Sequence, residues 1–336
     1  MSETVYLLTG ATGFLGGEIC RQLVAAGKKV RAFALPTDKA IEFVPKEAEI
    51  CLGDICDYEA VERFLTVPEG TETVVLHIAS VVALKGDYSR LLMNVNVGGT
   101  KNIIDCCLKH PECKKMVYCS STGAIPEEKK GTKIKEVIYF DEDQVLGYYS
   151  RSKAIATQAV LDAVRKEGLN DCVVHPSGIM GPGDMAMGQI TTTIISILGG
   201  SLPMGVGGTF NLCDVRDLAA ATISAVEKGR KGECYILGNE EVTFKEFATI
   251  LADAAGTKPI KYYAPLPLVQ AAAKIAEKPL KALCKDTLFS PFIVYNLARN
   301  NSFDSTKAKT ELGYTVRPFY ETIKDCVAWL KEIGKI

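Results

Sequence analysis

The sequence predicts a doubly wound parallel α/β sheet with a smaller, mostly helical C-terminal lobe, on three observations. Val5 to Thr9 is a short apolar run. A glycine-punctuated turn follows it, then Phe14 to Ala26 with helical periodicity stopped at Gly27, then a strand-like run from Lys29 to Leu35. Strand, turn, helix and strand in that order form a βαβ unit. The same rhythm continues well beyond it, and short apolar strands alternating with helices belong to a parallel sheet covered on both faces. Finally, 336 residues, 47% of them hydrophobic, are enough for one large α/β unit or two joined lobes.

Further strands are expected at Ile50 to Leu52, Thr73 to Ile78, Lys115 to Cys119 and Cys172 to His175. The helices between them are expected at Tyr58 to Leu65, Tyr88 to Leu108 and Ser150 to Lys166. After Pro176 the alternation becomes irregular, and residues 179–209 are rich in Gly, Met, Ile and Thr. Asp214 to Lys228 reads as a helix and Glu233 to Leu237 as a strand. From Thr243 the chain is mostly helical, broken at Pro259, Pro265, Pro267, Pro279, Pro291 and Pro318. This divides the chain into a first lobe, residues 1–178 plus 210–238, and a second, residues 179–209 plus 239–336.

The bulk numbers exclude several classes. A formal net charge of −1 provides no field for nucleic acid or an anionic membrane. No apolar run approaches the ~20 residues of a membrane span, and no leader is expected before Val5. The twelve cysteines include no Cys-x-x-Cys pair, and His77, His110 and His175 stand alone, so no metal site is expected. The cysteines read as small buried hydrophobes in a reducing, cytoplasmic setting.

Thr9-Gly10-Ala11-Thr12-Gly13-Phe14-Leu15-Gly16 sits between the first strand and the first helix. Glycines there allow a tight turn and bring backbone N–H groups close to a diphosphate at a helix N-terminus. The Gly-x-x-Gly-x-x-Gly spacing resembles the extended short-chain dehydrogenase/reductases, and the resemblance extends over nearly the whole chain. Gly53-Asp54, His77-Ile78-Ala79-Ser80, Asn96-Val97-Gly98-Gly99-Thr100-Lys101-Asn102, Ser120-Ser121, Tyr149-Ser150-Arg151-Ser152-Lys153 and His175-Pro176-Ser177-Gly178 follow in that family's order. It implies a Rossmann sheet and a nicotinamide dinucleotide. The dinucleotide would be held by the glycine loop, by Asp54 and Ile55, by Ala79, Ser80 and Val81, by Asn96 and Ser120, and by Pro176, Ser177, Gly178 and Ile179. Asn96 could equally bond the helix backbone.

Tyr149 and Lys153, four apart on a helix, share one face. An ammonium beside a phenol lowers its pKa, making it a usable acid for a carbonyl or base for an alcohol. Tyr148 points away from the lysine's face and reads as a pocket or packing residue. By the resemblance, Ser121 is the third member of the site, its hydroxyl at a strand's carboxyl end bonding the substrate oxygen. Ser120 and Thr122 are the alternatives. Thr157 stands where relatives commonly carry glutamate, a departure expected to affect packing.

The second strand ends Arg31-Ala32-Phe33-Ala34-Leu35, with Ala34 where a carboxylate would select NAD(H). Arg31 and Lys39 could reach a phosphate, while Asp38 could instead approach the ribose; the missing carboxylate at Ala34 tilts the expectation slightly towards NADP(H). Residues 178–215 contain neither Lys nor Arg, whereas a sugar-nucleotide diphosphate needs cations. That stretch suits an apolar small molecule, with Val82, Thr122, Tyr148, Met180 and Met187 as candidate contacts. Later segments, Asp214-Val215-Arg216-Asp217 and Phe303-Asp304-Ser305-Thr306-Lys307 among them, resemble dihydroflavonol-4-reductase-like and 3β-hydroxysteroid dehydrogenase-like proteins. The expected reaction interconverts a secondary alcohol and a ketone, against a sugar-nucleotide epimerase or dehydratase and a non-catalytic cofactor sensor. Relatives also pair through the helices after Tyr88 and Ser150, which implies a homodimer. Pro265 to Leu283 reads as an amphipathic helix with Lys274, Lys278 and Lys281 on its polar face, capping the substrate site.

Overall fold

The computed structural model describes residues 3–82, 88–273 and 291–336. Its N-terminal half alternates as the sequence predicts: β1 (Glu3–Thr9), α1 (Phe14–Ala25), β2 (Lys29–Ala34), β3 (Glu49–Leu52), α2 (Tyr58–Leu65), β4 (Thr71–His77), α3 (Arg90–Met93), α4 (Thr100–Lys109), β5 (Cys113–Cys119), α5 (Tyr148–Lys166) and β6 (Asp171–Pro176). Beyond these come β7 (Gly178–Met180), α6 (Gln189–Leu198), β8 (Met204–Val206), β9 (Thr209–Asp214), α7 (Val215–Lys228), β10 (Cys234–Leu237), β11 (Glu241–Thr243), α8 (Phe244–Ala255), β12 (Tyr262–Ala264), α9 (Pro291–Ala298) and α10 (Phe319–Glu332). A seven-stranded sheet runs in the order β10-β6-β5-β4-β1-β2-β3, with every pairing parallel. This is the Rossmann arrangement, in which β1 and β4 are neighbours and the order reverses between them.

The central strands lack polar alternation because both faces are covered: every residue of β6 and β10 is buried. One face packs Leu7, Val75, Met116, Tyr118 and Val173 against Ile103 and Ile104 of α4 and Val160 and Leu161 of α5. The other packs Leu8, Leu76, Val117 and Val174 against Ile19 and Leu23 of α1 and Leu218 and Ala221 of α7. A third core joins Met180 and Leu212 to α6, α8 and α10 through Ile194, Phe247, Leu251, Ile323 and Val327. It takes in β9 and the short strands β7 and β11, three residues each, which are too short to show a period. Asp214 caps α7 through the Arg216 N–H at 2.8 Å, and its carboxylate also holds the Arg216 and Arg317 guanidiniums, tying the C-terminal segment to the sheet.

The helix expected from Tyr88 to Leu108 differs in its interior. Ser89 caps it, accepting from the Leu92 N–H. Residues Asn94–Gly99, between α3 and α4, then wind as one π-turn. A widened turn of this kind admits an extra residue, and here Asn96 points inward and is buried. Residues 266–273 are helical, while the rest of the helix expected to Leu283, with its three lysines, lies outside the described residues. The outward positions of α4 and α5 include Lys101, Asp105, Lys109 and Lys166, all exposed.

The π-turn generates a paired prediction. A Cβ on Gly99 would meet the Ile55 Cγ1 at 2.5 Å, whereas one on Gly98 would meet nothing within 4 Å. Gly99→Ala is expected to lose ~1–3 kcal/mol by overpacking. Gly98→Ala should be neutral or gain up to about 1 kcal/mol. Urea unfolding of the two variants checks this, and equal losses would contradict the packing.

Candidate active site

The crevice opens where β1 and β4 part. Gly10 has φ +78°, and a Cβ there would lie 2.7 Å from the Ala79 nitrogen; on Gly16 it would lie 2.0 Å from the Gly10 carbonyl oxygen. Side chains cannot enter at either place without moving backbone. α1 then starts at Gly13 with no capping side chain and no acid in its first turn. The amides that precede its first internal bond are therefore free to face an anion. A bare, glycine-lined helix start at a topological switch point fits a dinucleotide diphosphate, with Gly10, Thr12, Gly13, Phe14 and Gly16 as the loop that would hold it. Leu15 contributes backbone alone, since its side chain is core.

Behind this loop runs a buried hydrogen-bonded chain. The Thr100 hydroxyl donates to the Asn96 carbonyl at 2.7 Å, so it accepts from His77 Nε2–H at 2.9 Å. His77 Nδ1 is then an acceptor for the Thr9 hydroxyl at 2.8 Å, and Thr9 Oγ1 accepts the Ile78 and Ala79 N–H groups. Every member is satisfied with His77 neutral, and burial pushes its pKa down to about 3. Thr9, expected at the cofactor, therefore spends its side chain binding β1 to β4.

At the far end of the crevice, one expectation is corrected. Arg31 does not reach for a phosphate: its guanidinium bonds Glu49 and the carbonyls of Phe64 and Thr66. Mid-strand placement directs it at β3 and the end of α2. Asp38 accepts from the Ala40 N–H and caps a short turn, leaving Lys39 exposed beside it. Asp54 caps its own loop at the Cys56 N–H, and the Ile55 carbonyl accepts from Asn102 of α4, so this loop is pinned to the helix layer.

Tyr149 and Lys153 lie on successive turns of α5, beside the carboxyl end of β5. The Ser121 hydroxyl accepts the Gly123 N–H at 3.1 Å, and it lies near enough to the Tyr149 phenol to pull its pKa down. Lys153 is 2% exposed, and its ammonium donates to the Cys119 carbonyl at 2.8 Å. Burial lowers the Lys153 pKa to about 8, which leaves it charged at neutral pH. Burial raises that of Tyr149 to about 12 against the opposing pull of Ser121. The expected phenol lowered by its lysine is thus not what this chain's own groups produce: desolvation dominates, and Lys153 acts instead on His77, His175 and Cys119.

The alternatives to Ser121 are occupied elsewhere. Ser120 donates to the Thr157 hydroxyl at 2.6 Å, and Thr122 is buried in the turn after β5. Asn96 is saturated. Its Oδ1 accepts from Ser80 Oγ and the Val81 N–H, and its Nδ2 donates to the Val81 carbonyl and Ser152 Oγ. It acts by holding the loop after β4 against α5, bonding the backbone of Val81 in that loop and not the helix backbone. His175 Nδ1 donates to the Ser121 carbonyl, and its ring stacks on Phe140. Pro176 follows it at the end of β6, where the Ser177 hydroxyl lies 3.1 Å from Cys213 Sγ, Gly178 abuts Leu212 and Ile179 packs on the core.

Among the candidate substrate contacts, Met180 is corrected outright. It is 2% exposed within the third core, because β7 pairs with β9 and turns it inward. Met187 is half-buried at φ +51°, Val82 is exposed, and Tyr148 packs edge-on against Tyr88 at 5.4 Å. Sequence reasoning passed over Thr100, Ser152 and Thr157 as site residues. Nothing but their place within two quoted motifs, or one turn beyond the second, could have raised them.

With this geometry in view, the comparisons with known proteins are specific. Residues 7–245 match the 3-beta hydroxysteroid dehydrogenase/isomerase family. The chain belongs to that family. It is an NAD(P)-dependent oxidoreductase of the extended short-chain dehydrogenase/reductase type. A putative dihydroflavonol 4-reductase of Synechocystis sp. is 28% identical over 98% of this chain and 96% of its own length. The decarboxylating sterol-4-alpha-carboxylate 3-dehydrogenase erg26 of Schizosaccharomyces pombe is 30% identical over 96% and 97%. The crystal structure of gox2253 superposes with a TM-score of 0.86 at 28% identity, all of both chains being covered. A UDP-glucose 4-epimerase of Thermotoga maritima, at 20% identity and TM-score 0.75 over 98% and 99%, shares the fold.

The two buried histidines generate a pH prediction. Burial holds His77 near 3 and His175 near 4, against an ordinary value of 6.5. Both stay neutral in the folded chain while the unfolded chain takes up protons below 6.5. Their contribution is therefore complete above pH 6.5 and is lost as the pH falls. By pH 5 the loss amounts to ~2 kcal/mol for each. The ¹H and ¹³C NMR signals of both imidazole rings should keep their neutral values from pH 7.5 to pH 5 in the folded chain; a ring that titrates with a midpoint near 6.5 would contradict the neutral assignment.

Proposed function

We propose that this chain interconverts a secondary alcohol and a ketone on a fairly apolar, cyclic small molecule, with Tyr149, Lys153 and Ser121 at the reacting oxygen. The observation that carries this reading is the phenol of Tyr149, near Ser121 just beyond the carboxyl end of β5 and one helical turn from a buried ammonium. When bound at the glycine loop, the nicotinamide supplies or accepts the hydride. At neutral pH the Tyr149 hydroxyl carries its proton, so it is in the state to donate to a carbonyl oxygen. Ser121 is placed to bond that same oxygen as charge grows on it. Lys153, charged and held at the Cys119 carbonyl, provides positive potential in a dry site where such charge counts most.

The absence of Lys and Arg from residues 178–215 supports the apolar ligand. Arg299, a buried cation farther along the chain, is paired with Glu127 at 3.4 Å. The relatives' named activities, on sterols, hydroxysteroids and a dihydroflavonol, agree with the reading. For the cofactor we favour NADP(H): no carboxylate ends β2, and with Arg31 committed elsewhere Lys39 is the cation left to meet a 2′-phosphate.

Two experiments test this. A panel of steroid, flavonoid and simple cyclic ketones and alcohols, with UDP-glucose as the contrary case, is followed by nicotinamide absorbance. Tyr149→Phe should lose ~10²- to 10⁴-fold in kcat while still binding cofactor, and near-wild-type turnover overturns the assignment. With both dinucleotides, Lys39→Ala should cost NADP(H) about three- to tenfold in kcat/KM and leave NAD(H) unchanged. An equal effect on the two would remove Lys39 from cofactor choice.

A further inference from the structure

Lys153 is tied to β5 at both of its ends. Its ammonium donates to the Cys119 carbonyl at 2.8 Å. Its own carbonyl accepts the Thr157 hydroxyl at 2.6 Å, and Thr157 Oγ1 in turn accepts from Ser120 Oγ, also at 2.6 Å. Because Thr157 donates to the carbonyl, Ser120 must be the donor of the second bond. Cys119 and Ser120 are consecutive, and Ser121 follows them. Side chain, helix turn and strand end thus close a ring around one lysine. Thr157 is fully buried and Ser120 nearly so, so neither hydroxyl can turn to water for a substitute.

We propose that Thr157 and Ser120 are positioning residues that set where the Lys153 ammonium sits relative to Ser121 and Tyr149. This rests on the reading of those three residues given above. A hydroxyl that back-bonds to the carbonyl four residues earlier ordinarily serves only its own helix. Here the same oxygen also accepts a bond from the neighbouring strand, fixing how far the helix stands from β5. A lysine stem has enough rotatable bonds to lose the Cys119 carbonyl if that spacing relaxes. Ser152 repeats the device one turn earlier: it donates to the Tyr149 carbonyl at 2.7 Å and accepts from Asn96 at 3.0 Å. The carbonyls of both proposed proton-handling residues are therefore each bound by a hydroxyl that is itself bound from outside the helix. The small hydroxyl at Thr157 is then matched to Ser120, and its role exceeds packing.

The test reads Lys153 without substrate or cofactor. The full chain is labelled with ¹³Cε-lysine and titrated by NMR, the Lys153 resonance being assigned from its loss in Lys153→Met. The wild-type midpoint should fall at about 8. Thr157→Val keeps the branched shape and removes the hydroxyl, and its midpoint should rise by about one pH unit as the ammonium leaves Cys119 and gains water. Thr157→Ser should restore the wild-type value. Should Thr157→Val fail to fold, the Ser120→Ala/Thr157→Val pair, which leaves neither hydroxyl stranded, takes its place with the same expected rise. A folded variant whose Lys153 titrates as in wild type overturns the proposal. Tyr149→Phe activity judges the catalytic reading separately: an inactive Tyr149→Phe beside an unmoved Lys153 midpoint sinks this inference alone. An active Tyr149→Phe sinks the reading beneath it.

Discussion

A charged amine with almost no exposed surface has to be answered by an acceptor, and in this chain the acceptor is the Cys119 carbonyl at the last residue of β5. That requirement organises the site. A strand carbonyl is unpaired and available only where the strand stops being paired, at the carboxyl edge of the sheet, so the lysine must come from a helix whose start overhangs that edge. α5 does so, beginning at Tyr148 beside the ends of β5 and β6. Once Lys153 is fixed there, Tyr149 falls on the same helical face one turn earlier, above Ser121. One buried charge therefore specifies a strand end, a helix and a spacing between them.

The cost of burying that charge also explains the polar threads around it. The chain Thr9–His77–Thr100–Asn96 and the pair Ser120–Thr157 both lie between the sheet and the helix layer of α4 and α5, where unsatisfied groups are expensive. Each thread bonds one element to another, and His77 can take part only as the neutral imidazole. The glycine loop stands in front of these threads. Its closest approaches are backbone on backbone, Gly10 on Ala79 and Gly16 on Gly10, so the loop is shaped by contact with the same strand ends that the hydroxyls hold.

How much of this was legible follows from what each signal depends on. The paired strands of the large sheet and the helices between them were readable because burial on both faces leaves continuous apolar runs bounded by turns. α2 was bounded to the residue because Asp57 caps it before an apolar-periodic stretch. The motifs located Tyr149, Lys153, Ser121 and the loop. What escaped depends on geometry that sequence spacing does not carry. The π-turn leaves the helical pattern of residues 88–108 almost intact while rotating Asn96 inward. Strands of three residues, such as β7, show no period, so Met180 read as pocket lining when it is core. Arg31 looked free until Glu49 and the end of α2 were beside it in space.

The Tyr149 phenol carries the last step of the argument. Its neighbours in this chain hold its pKa above the ordinary tyrosine value, since burial outweighs the lowering effect of Ser121. At neutral pH the resting phenol therefore carries its proton, the state in which it can donate to a carbonyl oxygen. Running the reverse reaction requires the phenolate, and the group nearest to hand that could stabilise it is the ammonium pinned at Cys119. How far Lys153 can lean towards Tyr149 without losing that carbonyl is set by the hydroxyls of Thr157 and Ser120. The proton affinity of the phenol thus depends on the spacing between α5 and β5 as much as on the reacting groups themselves.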